Sequence, residues 1–340
     1  MRTKRTLALG MSFVMALGAA TAIAGTVAAQ DEPLEQVTFQ LNWVPGGFHA
    51  GFALAREAGY YEDEGLFVHL VPGNGSATTA QLTAAGNVNL GNADAAPVTQ
   101  LVAKGAPIKV IATLFQGSPI QITAKADSGI AEIADLEGRS LAYPSGGSQA
   151  AQLPLVFAAN GVDADAVELV PTPREALVPV LLEDQVDAIV GSMDFFGIQL
   201  ADRGVETVDF PMYENGAPTV STSIIGNENW MAENPETTQK FVKASLRGWA
   251  EALENPEAAV EALTALFRNV DAEEATKQLE ATIPLYCANG AQYLGKATEE
   301  AWVNHEMVMR ESGSIEEAVE PTDLYTYDYL PADEELAPCQ

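Results

Sequence analysis

The chain has 340 residues, in which 17 Lys and Arg stand against 47 Asp and Glu, so the formal net charge is −30. A protein that neutralises phosphates needs clustered bases. This composition therefore excludes a protein that wraps nucleic acid and one that binds membranes through a basic face. Hydrophobic residues make up 47% of the chain, which excludes wholesale disorder, and the length predicts two domains.

Residues 1–29 have the composition of a secretory signal peptide. A basic start is followed by an apolar stretch from Thr6 to Gly25, and the small residues Val27 and Ala29 precede Gln30. The alternative is an N-terminal membrane anchor, because the stretch approaches spanning length. Its Ala, Gly and Thr content and its cleavage pattern favour a cleaved signal, so we expect an exported, soluble mature protein.

The first half of the remaining chain alternates strands with helices. The predicted strands are Val37–Leu41, Phe67–Val71, Val88–Leu90 and Ile108–Leu114, and the predicted helices are Phe48–Ala58, Thr78–Ala85 and Ala96–Lys104. This alternation predicts a parallel sheet with helices on its faces.

The same pattern restarts at Ile120 and predicts a second α/β unit. Its strands are Ile120–Ala124, Ser140–Tyr143, Val167–Val170, Ala188–Val190, Val205–Val208 and Ser221–Ile225, and its helices are Ile133–Leu136, Gln149–Asn160 and Glu175–Asp184. From Asn234 the chain is mostly helical and predicts a C-terminal cap. We therefore expect an α/β protein with one lobe at 36–118 plus 226–340, a second lobe at 119–225, and a ligand cleft between them.

Side chains that follow the strands are the candidates for ligand contact, because the carboxyl ends of parallel strands line the ligand crevice. They are Trp43, His49, Ser76, Asn92, Asp94, Gln116, Tyr143, Gly146, Gly147, Ser148 and Asp194. Trp43 offers an aromatic platform, the two acids accept hydrogen bonds from amino groups, and residues 146–148 offer donors. The alternative for each is a core, turn or cap residue.

Two cysteines, Cys287 and Cys339, permit one disulfide in an exported protein, and two free thiols are the alternative. The histidines His49, His69 and His305 are scattered, and the sequence has no CxxC. We therefore expect no zinc site and no cofactor.

The sequence has no GxSxG elbow, no HExxH and no Cys near a His. We interpret the chain as a binding protein, with an exported enzyme acting on a heterocycle, or a sensor domain with a separate receptor, as alternatives. The candidate strand-end loops contain no Arg, because Arg174 falls in a later loop. A sulfonate needs donors and a nearby Arg, so this pattern disfavours it.

Several motifs resemble the substrate-binding proteins of ABC importers, in the branch that includes thiamine-pyrimidine-precursor binders and the sulfonate and taurine binders. They are LNWVP and HAG within 41–51, AREAGYY and EGL within 55–66, GNGS at 73–76 and LEGR at 136–139. The resemblance runs from about Val37 to about Phe267. The Trp-x-Pro…His opening is closer to the pyrimidine-precursor binders, although Gly46 and Gly47 stand where members usually have Asn after the Pro.

The resemblance implies a type II periplasmic-binding-protein fold and a monomer outside the cytoplasm that delivers its ligand to an ABC permease. It implies a small planar heteroaromatic ligand, similar to the thiamine pyrimidine precursor, held by an aromatic pair and by acids. Trp43 matches the first platform, and Asp94 and Asp194 are the candidate acids. Sulfonate, taurine and riboflavin-type ligands are the alternatives. The yeast-type pyrimidine synthases share the fold but use a Cys-rich motif and a cytosolic location, which this chain lacks.

Overall fold

The computed structural model describes residues 33–144 and 149–339. The predicted signal peptide at 1–29 and the candidate donors Gly146, Gly147 and Ser148 lie outside the described residues. Two five-stranded sheets flanked by helices make up the described chain, and each sheet is the centre of one lobe. None of the described helices is both long enough and apolar enough to span a bilayer.

The first lobe contains a sheet of five strands. They are β1 (Glu35–Gln40), β2 (Leu66–Val71), β3 (Leu90–Asp94), β4 (Ile108–Thr113) and, from much later in the chain, β10 (Thr222–Asn227). Their order across the sheet is β2-β1-β3-β10-β4. β1 pairs in parallel with β2 and β3, whereas β10 runs antiparallel to β3 and β4.

The second lobe repeats this arrangement. Its strands are β5 (Ile120–Lys125), β6 (Ser140–Pro144), β7 (Glu168–Thr172), β8 (Ala188–Ser192) and β9 (Thr207–Pro211). They lie in the order β7-β6-β8-β5-β9, with β5 antiparallel to both of its neighbours. In each lobe, therefore, one antiparallel strand separates the edge strand from the three parallel ones.

Thirteen α-helices cover these sheets within the described residues. They are α1 (Ala50–Glu57), α2 (Tyr60–Asp63), α3 (Ser76–Ala84), α4 (Ala95–Val102), α5 (Gln149–Ala159), α6 (Leu177–Leu182), α7 (Ile198–Ala201), α8 (Glu228–Glu233), α9 (Pro235–Glu254), α10 (Pro256–Leu266), α11 (Ala272–Thr282), α12 (Glu299–Glu311) and α13 (Pro321–Leu324). Short helical turns of other types occur at 47–49 and 193–197.

Each lobe has its own hydrophobic core. In the first lobe, Phe39 of β1 packs against Phe52 of α1 and Phe241 of α9, with ring centroids 4.7 and 4.9 Å apart. Glycine at position 51 lets α1 approach α9 closely, since a Cβ there would lie 2.1 Å from the Trp249 ring. The C-terminal helices are therefore an integral layer of the first lobe, and Val308 of α12 also joins the second lobe's core.

Two sequence expectations need correction. The sheets are mixed rather than parallel, because β10 and β5 insert in the antiparallel sense. The residues up to Ile225 do not all belong to the second lobe either, because Thr222–Asn227 pairs with β3 and β4 of the first lobe. The chain crosses between the lobes after Thr113 and returns before Thr222.

A disulfide joins Cys287 to Cys339 across a sequence separation of 52 residues. Cys287 ends a short turn whose Leu285 carbonyl accepts a hydrogen bond from the Gln116 backbone N–H in the outgoing crossing. The bond therefore fixes the C-terminal tail to the segment that supports this crossing.

Replacing both Cys287 and Cys339 by Ser should lower the free energy of unfolding by about 4 kcal/mol, because the open chain gains the entropy that a loop of this length removes. Urea unfolding followed by circular dichroism measures the change. Wild-type protein treated with reductant should match the double variant, and equal midpoints for oxidised wild type and the double variant would show that the bond contributes no stability.

Candidate functional site

A cavity of about 780 Å³ lies between the two lobes. The first lobe contributes Asn42, Trp43, Phe48, Gly75, Ser76, Ala77, Asp94, Pro97, Gln100, Phe115 and Thr222 to its wall. The second lobe and the outgoing crossing contribute Pro119, Ile120, Pro144, Arg174, Gly191, Ser192, Asp194, Phe195 and Phe196. Most of these residues lie at the ends of strands or just beyond them, and four of the candidates from the sequence, Trp43, Ser76, Asp94 and Asp194, are among them.

Asp94 is the last residue of β3, and three hydroxyl groups hold its carboxylate. Ser76 Oγ donates to one carboxylate oxygen at 3.0 Å. Ser221 Oγ and Thr222 Oγ1 donate to the other, each at 3.0 Å. These donors come from the start of α3 and from the returning chain, so the antiparallel pairing of β10 with β3 brings them together. The carboxylate is thereby fixed in the cavity wall.

A chain of hydrogen bonds runs from His49 to this carboxylate. His49 Nε2 lies 2.7 Å from Asn42 Oδ1, which only accepts, so the ring donates from Nε2. Asn42 Nδ2 donates to Ser76 Oγ at 3.4 Å, and Ser76 in turn donates to Asp94. His49 is 1% exposed and does not line the cavity. It holds Asn42 in position through this hydrogen bond, and its contact with a ligand stays a prediction.

The two glycines after Pro45 make room for α11. A Cβ on Gly47 would lie 2.0 Å from the Ala275 carbonyl oxygen, and the Gly47 N–H donates to Gln278 Oε1 at 2.9 Å. A larger residue at position 47 would push α11 away from the turn that carries Phe48 into the cavity wall. Packing against α11 therefore explains why this chain has glycine after Pro45, where members of the resembled branch usually have Asn.

Asp194 approaches the cavity from the second lobe, just after β8. It is 9% exposed, and its Oδ1 has no hydrogen-bond partner among the described residues. Burial is the main cause that raises the pKa of this carboxyl group above its ordinary value, and the charge of Asp94 raises it further. The cavity therefore has an acidic group on each side, one held by three donors and one with an unpartnered oxygen.

Arg174 also lines the cavity, which corrects the expectation that no Arg reaches it. Its Cζ lies 4.4 Å from the centroid of the Trp43 ring, 4.7 Å from that of Phe195 and 5.7 Å from that of Phe196. Trp43 belongs to the first lobe and the two phenylalanines to the second. The guanidinium therefore bridges the lobes through cation–π contacts.

Three further candidates lie away from the cavity. Asn92 is fully buried inside β3, where its Nδ2 donates to the Ser223 carbonyl at 3.2 Å. Gln116 is buried in the outgoing crossing, and its Nε2 donates to the Tyr293 carbonyl at 3.2 Å. Tyr143 packs against the second lobe's core, while the next residue, Pro144, lines the cavity. Within residues 33–144 and 149–339, no group of acids, histidines or cysteines is arranged to hold a metal ion.

An ion pair also joins the lobes outside the cavity. Lys277 Nζ of α11 lies 2.7 Å from Asp202 after α7 and 2.9 Å from Glu273. All three side chains are at least one-third exposed, so each pair contributes at most about 1 kcal/mol. The pair between Lys277 and Asp202 therefore stabilises this orientation of the two lobes only weakly.

A family model described as NMT1/THI5 like matches residues 47–259 of this chain. The chain belongs to the NMT1/THI5-like family. The match begins at the turn before α1 and ends within α10, so it includes the second lobe, part of the first lobe, Arg174 and both acids of the cavity.

Curated relatives of the chain fall into binding proteins and enzymes. A riboflavin-binding protein, RibY, of Chloroflexus aurantiacus is 27% identical over 96% of this chain and 98% of its own length. A formylaminopyrimidine-binding protein of Halalkalibacterium halodurans is 29% identical over 72% of this chain and 73% of its own. A 4-amino-5-hydroxymethyl-2-methylpyrimidine phosphate synthase of Aspergillus parasiticus is 26% identical, covering 67% and 69%.

A solved structure establishes the fold. The periplasmic aliphatic sulphonate binding protein SsuA from Escherichia coli superposes with a TM-score of 0.71 at 14% identity, over 87% of this chain and 99% of that one. At this identity the likeness concerns the fold alone. The predicted two-lobed periplasmic-binding-protein fold is confirmed.

The free energy of unfolding should fall as the pH drops below 6.5, because burial lowers the pKa of His49 and of His305 to about 3. The unfolded chain then binds protons that the folded chain does not, and each histidine lowers the stability by roughly 2 kcal/mol at pH 5. Urea unfolding between pH 7.5 and 5 measures the slope.

The variant His305→Gln should lose about half of this pH dependence. The difference between its slope and the wild-type slope gives the contribution of His305 apart from that of the carboxyl groups. His69 is exposed on β2, so His69→Gln serves as the matched control and should keep the wild-type slope. An unchanged slope in His305→Gln would contradict the prediction.

Proposed function

We propose that the chain is the extracytoplasmic solute-binding protein of an ABC importer and that it binds a planar, nitrogen-containing heteroaromatic ligand between its lobes. One observation carries the proposal: an indole ring and two carboxyl groups from opposite lobes line the same cavity. The indole of Trp43 stacks on a planar ring, and Asp94 and Asp194 accept hydrogen bonds from its amino or ring N–H groups. Binding at both lobes favours closure around the crossings.

The charges of the cavity favour a neutral or cationic ligand. Among the described lining residues, Asp94 and Asp194 are the acids and Arg174 is the one cation. Burial raises the pKa of Asp194 above its ordinary value, so the ionised form of this group is less favoured than that of a carboxyl group in water. A sulfonate would place a full negative charge near Asp94, which has no cation within ion-pair distance among the described residues.

The size of the cavity supports a ligand larger than one ring. About 780 Å³ lies in the upper part of the range of roughly 300–1,000 Å³ that small-molecule sites occupy. Two of the relatives are named for heterocycles, one for a fused three-ring compound and one for a substituted pyrimidine. We extend their shared ligand chemistry, a planar nitrogen heterocycle, to this chain.

Binding is favoured over catalysis by the composition of the cavity wall. Its described residues include no Cys and no His, and the nearby His49 is buried with its Nε2 committed to Asn42. A Cys nucleophile, or a Ser hydroxyl activated by a histidine, is therefore missing from these residues. Delivery to a membrane permease, action as a monomer and export through a cleaved signal peptide complete the proposal, and they rest on the family and on the composition of residues 1–29.

Planar heterocycles should stabilise the mature chain in a thermal-shift panel of pyrimidines, flavins, sulfonates and amino acids. A ligand at 100 times its Kd adds about 2.7 kcal/mol to the free energy of unfolding and raises the Tm. Chromatography of the ligand recovered after incubation should return it unchanged. A shift with sulfonates alone would contradict the stacking argument, and a converted ligand would favour an enzyme.

Replacing Trp43 by Ala should weaken binding of the heterocycle that shifts the Tm most by about 10- to 100-fold, because a ring stacked on an aromatic side chain contributes about 1–3 kcal/mol. Isothermal titration calorimetry gives the Kd. Trp43→Phe should retain most of the affinity, and Trp230→Ala, on α8 away from the cavity, is the matched control. Equal Kd values for wild type and Trp43→Ala would remove this ring from the site.

A further inference from the structure

The guanidinium of Arg174 is a desolvated donor group. Its side chain is half-buried among the rings of Trp43, Phe195 and Phe196. No described residue accepts a hydrogen bond from it, and no described carboxylate lies within 4.0 Å of it. Burial lowers the pKa of this guanidinium, which reflects the loss of water around the charge. Its five N–H donors are therefore available to a molecule in the cavity.

Most other arginines of the described chain have an ion-pair or hydrogen-bond partner. Arg139, Arg247 and Arg310 pair with carboxylates, and Arg56 and Arg203 donate to backbone carbonyl oxygens. Arg268 has no such partner but is exposed to water. Arg174 is different: it is half-buried next to the cavity and interacts with the charge of Asp194, but no described carboxylate lies within 4.0 Å of it, and burying a charge without a close partner costs free energy.

The carboxyl groups and the guanidinium in the cavity require different hydrogen-bonding groups on a ligand. A carboxylate only accepts hydrogen bonds, and a guanidinium only donates them. A ligand that satisfies both must present N–H donors to the acids and an acceptor to Arg174. An alkyl sulfonate offers acceptors alone, and a diamino heterocycle without a carbonyl offers the guanidinium no exocyclic acceptor.

We propose that Arg174 determines specificity by binding a carbonyl acceptor of the ligand, which makes the preferred ligand class a planar heterocycle with a cyclic amide or imide edge. This inference rests on the proposed function and narrows its ligand class. Arginine suits the task better than lysine, because its planar fork stacks on aromatic rings and donates in parallel to carbonyl oxygens. The three rings hold that fork at the boundary between the lobes.

The test uses two probes with the same pteridine ring and different edges. Lumazine carries two carbonyl groups and ring N–H groups, whereas 2,4-diaminopteridine carries amino groups at the same positions. Riboflavin, which has the same dione edge on a larger ring, is the third probe. Calorimetric titration of wild type and of Arg174→Met gives the Kd for each.

Arg174→Met should weaken lumazine and riboflavin by about 10- to 100-fold, the usual effect of losing a charge-assisted hydrogen bond, and 2,4-diaminopteridine by less than about threefold. Arg174→Lys should recover only part of the loss, because it keeps the charge without the fork. Arg139→Met, outside the cavity, is the matched control and should leave all three Kd values unchanged. Far-ultraviolet circular dichroism confirms that each variant is folded.

The outcomes separate this inference from the proposed function. Equal losses for dione and diamino probes in Arg174→Met overturn the role of Arg174 in specificity and leave the planar-ligand proposal standing. Absence of binding by all three probes to wild type overturns both. A loss confined to the dione probes supports the inference.

Discussion

The insertion of β10 between β3 and β4 is the constraint on which the cleft depends. The chain leaves the first lobe after β4 and re-enters it through the middle of the same sheet, so both crossings lie side by side. The Ser221 N–H donates to the Phe115 carbonyl, and the Thr222 carbonyl accepts from the Leu114 and Phe115 N–H groups. These bonds link the two crossings to each other, and they bring two hydroxyl donors to Asp94.

A chain of hydrogen bonds between neutral side chains also leads to Asp94. His49, Asn42 and Ser76 relay hydrogen bonds to Asp94 without adding charge, and burial keeps the His49 ring neutral by lowering its pKa to about 3. A neutral relay orients the carboxylate and leaves its charge uncompensated by a nearby cation. Hydrogen bonds therefore hold Asp94 in place, whereas Arg174 is held by contacts with aromatic rings.

Much of this arrangement could be predicted from the sequence, because local alternation of apolar residues determines where strands and helices form. The predicted strand Phe67–Val71 differs from β2 by one residue, and most strands were within two residues of their true ends. Pairing direction could not be predicted, because it depends on which distant strand inserts into a sheet. Small errors in strand ends had large effects on the site. β3 continues to Asp94 instead of ending at Leu90, so Asn92 became a sheet residue.

The same kind of error hid Arg174. β7 ends at Thr172 and not at Val170, which places Arg174 two residues beyond the strand, where the rule for strand ends would have selected it. The burial of His49 and Gln116 could not be predicted for another reason: it is a property of the whole fold, and both side chains are about 1% exposed.

The disulfide between Cys287 and Cys339 lies next to the outgoing crossing between the lobes. Cys287 lies two residues after Leu285, whose carbonyl oxygen accepts a hydrogen bond from the Gln116 N–H of the outgoing crossing. Reduction of the disulfide would release the C-terminal tail from the segment that supports this crossing. The strength of that support is thereby coupled to the redox conditions around the protein.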